Sequence, residues 1–102
     1  CAHCHSPGGA GDTSGLFLDY FRPFGPSVGA CKPPVAAGGG SGGLLYDIVP
    51  GNSTESIMVY RMASNELEVR MPEIGRSIVH PEGVQLIADW IDAMAPVNCD
   101  AP

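Results

Sequence analysis

The five residues Cys1-Ala2-His3-Cys4-His5 form the pattern C-x-x-C-H, and no other feature of the sequence constrains the fold as strongly. Two thiols three positions apart can each form a thioether with one of the two vinyl groups on one edge of a porphyrin. The adjacent imidazole of His5 can then bind the iron as its proximal ligand. The pattern therefore predicts one covalently bound haem c, attached at Cys1 and Cys4 and ligated by His5.

Three other interpretations of this pattern stay open. A thioredoxin-like C-x-x-C requires a preceding strand and a following helix, whereas a Ser-Pro-Gly-Gly sequence follows here. A zinc site requires a second pair of ligands at short spacing, but Cys31, Cys99 and His80 are isolated from one another in the sequence. The third alternative is a chance occurrence of the pattern.

A haem that carries electrons usually has a second axial ligand, and Met71 is the strongest candidate. It lies in the segment Arg-Met-Pro-Glu-Ile-Gly-Arg (70–76), where Pro72 and Gly75 break helix and leave a loop. The long separation from His5 allows the chain to pass round the haem and return on its opposite face. We therefore predict that His5 and Met71 are the two iron ligands.

The remaining candidates for the distal position are expected to have other roles. Three methionines are predicted to fill the core: Met58, Met62 and Met94. His80 precedes a proline and is expected at the surface, where a helix starts. It is the alternative ligand if the iron is bound by two histidines.

With the haem pattern and the Met-Pro segment, the chain resembles a bacterial class I c-type cytochrome domain. Residues 47–57 are similar to the segment that opens the middle helix of such domains, and residues 82–91 are similar to their last helix. More narrowly, residues 31–38 and 71–76 resemble domains at the end of larger secreted proteins. The resemblance covers most of the chain and implies one all-α, loop-rich domain over residues 1–102, with few short helices around one haem.

Cytochrome domains of this family have a helix before the haem pattern, which packs across the last helix, whereas this sequence begins at Cys1. We therefore expect it to be a fragment or a C-terminal domain of a longer chain. Further segments or subunits are expected to pack on the helix predicted over residues 81–95. The apolar residues of that helix form a broad stripe: Val84, Leu86, Ile87, Ala88, Trp90, Ile91, Met94 and Ala95.

Glycine (14) and proline (10) make up nearly a quarter of the 102 residues, so helices are interrupted. Residues 23–43 are too rich in both to be regular, and the apolar run 15–21 is expected to form one or two helical turns. A helix is predicted over residues 53–63, with Asn52 as its cap and Glu55 completing a capping box. The helix over 81–95 begins with Pro81, which suits a first turn.

Cys31 and Cys99 are the two cysteines outside the haem pattern. Haem c is attached outside the cytoplasm, so we expect a periplasmic or otherwise extracytoplasmic compartment, where leftover cysteines tend to pair. A disulfide closing a loop of about 69 residues would contribute ~4 kcal/mol in the chain-entropy model. The alternative is two reduced, buried thiols.

The net charge of −6 argues against nucleic acid or anionic lipid as a partner, because both require a positive surface. It favours a redox partner protein with a basic docking surface. No apolar window approaches the length of a transmembrane segment. Three arginines are candidates to pair with the haem propionates, with an ordinary surface role as the alternative: Arg61, Arg70 and Arg76.

An iron bound by His5 and Met71 has no open position for a substrate. The sequence therefore predicts a one-electron carrier rather than an enzyme, acting as a relay domain of a larger extracytoplasmic redox protein or complex. If Met71 is not bound, the five-coordinate alternative is a gas sensor or a peroxidase-like enzyme. A third alternative is a structural haem protomer of a redox fibre or complex.

Overall fold

The computed structural model describes residues 1–35, 38–73 and 78–100, and they contain two α-helices. Helix α1 comprises Ile57–Ala63 and helix α2 comprises Pro81–Asp92. Four short 3-10 turns accompany them: Asp12–Ser14, Pro26–Val28, Gly38–Ser41 and Ser53–Glu55. The chain is therefore a small, loop-rich helical protein, as its composition predicts. None of the helices in these ranges is long and apolar enough to cross a membrane.

The segment around Ile48 connects the described parts of the protein. The Ile48 N–H donates to the carbonyl of Gly29 at 2.9 Å, and the Cys31 N–H donates to the carbonyl of Ile48 at 2.9 Å. Parallel bridges join Ala30 to Ile48 and Tyr46 to Ser56. Ile48 is completely buried. The sequence does not predict this strand-like pairing. Isolated bridges leave no alternation of apolar and polar residues from which a strand could be predicted.

Helix α1 begins later than the sequence predicts. The predicted helix over residues 53–63 is a 3-10 turn, Ser53–Glu55, followed by α1 from Ile57. The expected capping box is also wrong, because the Asn52 side chain makes no cap hydrogen bond. The first amides of α1 bind carbonyls from elsewhere in the chain: Ile57 N–H donates to Tyr46 and Met58 N–H to Asp47, each at 3.0 Å. These carbonyls satisfy the amides that a cap would otherwise satisfy.

Helix α2 begins where the sequence predicts and ends three residues earlier than predicted. Pro81 occupies its first turn, and the His80 side chain accepts a hydrogen bond from the Gly83 N–H. The helix ends at Asp92, whose carboxylate accepts from the Ser53 N–H at 2.8 Å and from Ser53 Oγ at 3.0 Å. That pair of bonds joins the end of α2 to the 3-10 turn before α1.

The expected helical turns over residues 15–21 are also not formed. Residues 15–19 are irregular, and a turn follows at Tyr20 and Phe21. The Phe17 N–H donates to the Ser27 carbonyl at 2.7 Å and the Leu18 N–H donates to the His5 carbonyl at 2.7 Å. Because these amides bind distant carbonyls, they are not available for the local bonds of a helix.

The described core is small and consists of four buried apolar side chains: Ile48, Ile57, Val69 and Ile91. The three methionines expected in the core are half-buried instead: Met58, Met62 and Met94. On the apolar stripe of α2, Val84, Ile87 and Ala88 are half-buried, whereas Leu86 and Trp90 are 69% and 41% exposed. The Trp90 ring meets the ring of Phe24 edge to face, with centroids 5.7 Å apart.

Candidate functional site

The C-x-x-C-H pattern folds into a single tight turn. The His5 N–H donates to the carbonyl of Cys1 at 2.8 Å, and the Cys4 N–H donates to the same carbonyl at 3.1 Å. Residues three and four positions apart in such a turn share one side of it. Both thiols are free, with Cys1 exposed and Cys4 half-buried. One turn of five residues thus carries two free thiols and one imidazole.

The hydrogen bonds of His5 determine which ring nitrogen carries its proton. Nδ1 lies 3.3 Å from the carbonyl oxygen of Leu16 and 3.3 Å from Oγ of Ser14. A carbonyl oxygen can only accept a hydrogen bond, so Nδ1 is the donor. This assignment from hydrogen-bond partners leaves the lone pair of Nε2 available to a metal.

The loop that follows the turn packs directly against it. The Gly11 N–H donates to the carbonyl of Cys4 at 2.8 Å, and the Leu18 N–H donates to that of His5. A Cβ at Gly9 would lie 2.4 Å from the Cys4 oxygen, and a Cβ at Gly11 would lie 3.1 Å from Cε1 of His5. Glycine is therefore needed at both positions for the loop to approach the imidazole closely.

In His80, the alternative iron ligand, the ring proton lies on the other nitrogen than in His5. Its Nδ1 accepts a hydrogen bond from the Gly83 N–H at 2.9 Å, so the proton of the neutral ring lies on Nε2. That nitrogen is 3.7 Å from a carboxylate oxygen of Glu82, and the His80 side chain is 78% exposed. While His80 caps α2, neither of its nitrogens offers a free lone pair. The contrast with His5 favours His5 as a metal ligand.

Met71, the predicted distal ligand, lies in the loop that follows α1. Its N–H donates to the Arg61 carbonyl at 3.1 Å, and Arg61 Nε donates to the Val69 carbonyl at 2.9 Å. The side chain of Met71 is half-buried. The loop is therefore fastened to α1 on both sides of Arg70. The role of Met71 as an iron ligand stays a prediction.

The candidate propionate partners take part in the same loop. Arg61 also packs against Gly40, where a Cβ would lie 3.1 Å from its guanidinium carbon. Arg70 Nε donates to the Glu73 carbonyl at 3.3 Å. Arg76 lies outside the described residues. The two described arginines thus shape the segment around Met71, and their pairing with propionates stays a prediction.

The structure also contains a buried ion pair that the sequence analysis does not predict. Asp47 is buried, and Lys32 Nζ lies 3.5 Å from its carboxylate. Burial raises the pKa of the Asp47 carboxyl, while the basic residues Lys32, Arg61 and His5 act in the opposite direction. The sequence alone does not indicate which charged residues are buried.

The two remaining cysteines are joined by a disulfide, as the sequence predicts. The Cα atoms of Cys31 and Cys99 are 5.1 Å apart, and the bond links positions separated by 68 residues. The tail is also held by Tyr46 Oη, which donates to the carboxylate of Asp100 at 2.6 Å. The end of the described chain is thereby attached to the segments on both sides of residues 36–37.

The three other interpretations of the C-x-x-C-H pattern stay open. Within residues 1–35, 38–73 and 78–100, no three His, Cys, Asp or Glu side chains are grouped as a metal site would require. A 3-10 turn, Asp12–Ser14, follows the pattern, where a thioredoxin-like motif needs a helix. Comparison with protein-family models, curated proteins and solved structures finds no match for this chain. Its function is therefore argued from its residues and their geometry.

Proposed function

We propose that this chain binds one haem c covalently through Cys1 and Cys4 and uses it to transfer single electrons. The observation that carries the proposal is the tautomer of His5, because it leaves the Nε2 lone pair free beside two free thiols. Two thiols and a neutral imidazole are the donor set of a haem c attachment site. The residues present therefore fit this cofactor.

When bound, the haem supplies an iron that exchanges one electron between its ferric and ferrous states. Cys1 and Cys4 would hold the porphyrin edge, and His5 would bind the iron through Nε2. Met71 would be the second protein ligand of the iron, and its thioether would raise the reduction potential relative to a second histidine. The hydrogen bonds from Arg61 and Met71 support this role, since they give the loop a defined position. With His5 and Met71 both bound to the iron, the domain would transfer electrons without binding a substrate.

Electron exchange requires a partner, which we expect to be a redox protein with a basic docking surface. The net charge of −6 supports that choice. The exposed Leu86 and Trp90 on α2 support packing by further segments or subunits of a larger redox protein or complex. The disulfide supports a periplasmic or other extracytoplasmic location, since oxidising compartments preserve such bonds.

The covalent attachment is tested by expression in a bacterial periplasm that contains a haem c attachment system, followed by acid–acetone extraction. We expect wild type to retain its haem, and the double variant Cys1→Ala/Cys4→Ala to lose it. The matched control is Cys31→Ala/Cys99→Ala, which also removes two cysteines but leaves the attachment turn intact, and it should retain the haem. Release of haem from wild type as readily as from the first variant contradicts the proposal.

Electron transfer is tested on the haem-containing wild type by a potentiometric titration followed by absorbance. We expect one reversible, one-electron transition and a weak ferric absorbance band near the red end of the spectrum, which indicates sulfur ligation. The ferrous protein should not bind carbon monoxide, because Met71 fills the distal position. High-spin spectra and rapid binding of carbon monoxide would instead support the five-coordinate alternative, a gas sensor or peroxidase-like enzyme.

A further inference from the structure

We propose that Ser14 is a positioning residue for His5 and that its hydroxyl lowers the reduction potential of the iron bound there. This inference rests on the proposed function. Ser14 lies nine residues after His5, in the 3-10 turn Asp12–Ser14, and its Oγ is 3.3 Å from His5 Nδ1. Nothing in the sequence around Ser14 marks it as part of the site.

The hydrogen bonds of the Ser14 hydroxyl define its role. Its single proton is donated to the Gly11 carbonyl at 2.6 Å, the shortest contact it makes. Toward its other neighbours the oxygen can therefore only accept, and it accepts from the Leu16 N–H at 3.1 Å and from His5 Nδ1–H. One donor and two acceptor sites are all that a hydroxyl has. Ser14 is thus fully used and held in one orientation.

The Nδ1 proton of His5 is consequently shared between two acceptors, Ser14 Oγ and the Leu16 carbonyl oxygen. The bond from the Leu16 N–H to Ser14 also fixes the peptide unit beside that carbonyl. Acceptors at the outer nitrogen of a metal-bound histidine orient the ring and raise the basicity of the ligating nitrogen. A more basic Nε2 stabilises ferric iron over ferrous iron, which lowers the potential.

The experiment compares the midpoint potentials of haem-containing Ser14→Ala, Ser14→Thr and wild type. Ser14→Ala removes one acceptor, so its potential should shift in the positive direction. Ser14→Thr keeps the hydroxyl and should restore the wild-type value. The matched control is Ser41→Ala, because Ser41 also ends a 3-10 turn and donates to the carbonyl three residues earlier. The control should leave the potential unchanged.

A second measurement has its deciding outcome in the wild-type protein itself. In the reduced, nitrogen-15-labelled wild type, NMR should detect a proton on Nδ1 of His5 that exchanges slowly with solvent. Its exchange should be about fivefold faster in Ser14→Ala, the effect of losing one hydrogen bond. A wild-type Nδ1 proton that exchanges as fast as that of an exposed imidazole overturns the proposal.

The outcomes separate this inference from the proposed function. If wild type carries no covalent haem, the proposed function fails and Ser14 has no iron to influence. If wild type carries haem and Ser14→Ala has an unchanged midpoint potential, only the role of Ser14 is overturned. A change in stability without a change in potential also overturns it, since it would show that the hydroxyl merely closes the turn.

Discussion

The N-terminal 28 residues and the segment from Gly29 to the end of α2 are stabilised in different ways. The first region contains no buried residue, and Tyr20 and Phe21 near its middle are 89% and 90% exposed. Its order comes from backbone bonds such as Leu18 N–H to the His5 carbonyl. The second region contains the four buried apolar side chains of the described core.

This difference indicates how folding and cofactor binding are divided between the two regions. Burial of apolar surface is the main favourable contribution to folding, whereas one hydrogen bond contributes only about 1 kcal/mol net. The second region therefore supplies most of the folding energy of the polypeptide itself. The first region positions Cys1, Cys4 and His5, and a porphyrin attached there would bring apolar surface to the part of the chain that buries least.

The largest effect on stability is expected from Ile48→Ala. Ile48 is completely buried and its backbone pairs with Gly29 and Cys31, so the cavity should lower the free energy of unfolding by about 3 kcal/mol. Urea unfolding measures this. Leu67→Ala is the control, because Leu67 is 75% exposed and should change stability by less than about 0.5 kcal/mol. Equal losses in the two variants would contradict the assignment of Ile48 to the core.

A smaller effect is expected from Gly9→Ala in the first region. The new Cβ would lie 2.4 Å from the Cys4 carbonyl oxygen, so the backbone of the attachment turn must move. We expect a loss of about 2 kcal/mol of stability together with a reduced yield of covalent haem. Gly39→Ala is the control, since a Cβ at Gly39 has no atom within 4 Å. A normal haem yield in Gly9→Ala would show that the loop does not hold the turn.

Met71→Ala should lower the stability less than the two substitutions above, but it should change the coordination of the iron. Without the thioether, the distal position opens, the midpoint potential falls and the ferrous protein binds carbon monoxide. Met71→His should stay six-coordinate, also at a lower potential. Alanine substitutions at the other three methionines, Met58, Met62 and Met94, serve as controls and should leave the spectrum nearly unchanged. A sulfur-ligated spectrum in Met71→Ala would refute the assignment, and an iron opened only by His80→Ala would indicate bis-histidine ligation.

The smallest expected effect is on the pH dependence of stability, which should have opposite signs in the two regions. In the second region, burial raises the pKa of Asp47 above 3.8, so the folded state binds its proton more tightly than the unfolded state. The stability of wild type relative to Asp47→Asn should therefore fall as pH rises from 3.8 through the folded pKa. In the first region, the hydrogen bond from Arg22 lowers the pKa of Asp19. Stability relative to Asp19→Asn should rise with pH up to 3.8. Urea unfolding at several pH values measures both stability differences. If both change with pH in the same direction, the opposite pKa shifts of Asp47 and Asp19 are contradicted.

The sequence by itself was sufficient for the features that depend on near neighbours. The spacing of Cys1, Cys4 and His5 places them on one turn, because residues three and four apart share a side of it. Pro81 predicts the start of α2, because its fixed φ suits a first turn and it has no N–H to satisfy. The Cys31–Cys99 disulfide depends on no near neighbour; the sequence predicts it because these are the two cysteines outside the C-x-x-C-H pattern and an extracytoplasmic compartment is expected.

The tertiary structure decided the features whose partners lie far along the chain. The carbonyls of Tyr46 and Asp47 bind the first amides of α1, so the predicted Asn52 cap does not form. The apolar run at 15–21 stays irregular for the same reason, since its amides bind His5 and Ser27.

The protonation of His5 is the clearest case of such long-range control. Its imidazole proton is directed by Ser14 and Leu16, nine and eleven residues away, while the ring of His80 is directed by Gly83, three residues away. Two residues of the same type therefore carry their ring protons on opposite nitrogens. The physical reason is that a hydrogen bond depends on which donors and acceptors the fold brings within about 3 Å, and only local partners can be inferred from their order in the chain.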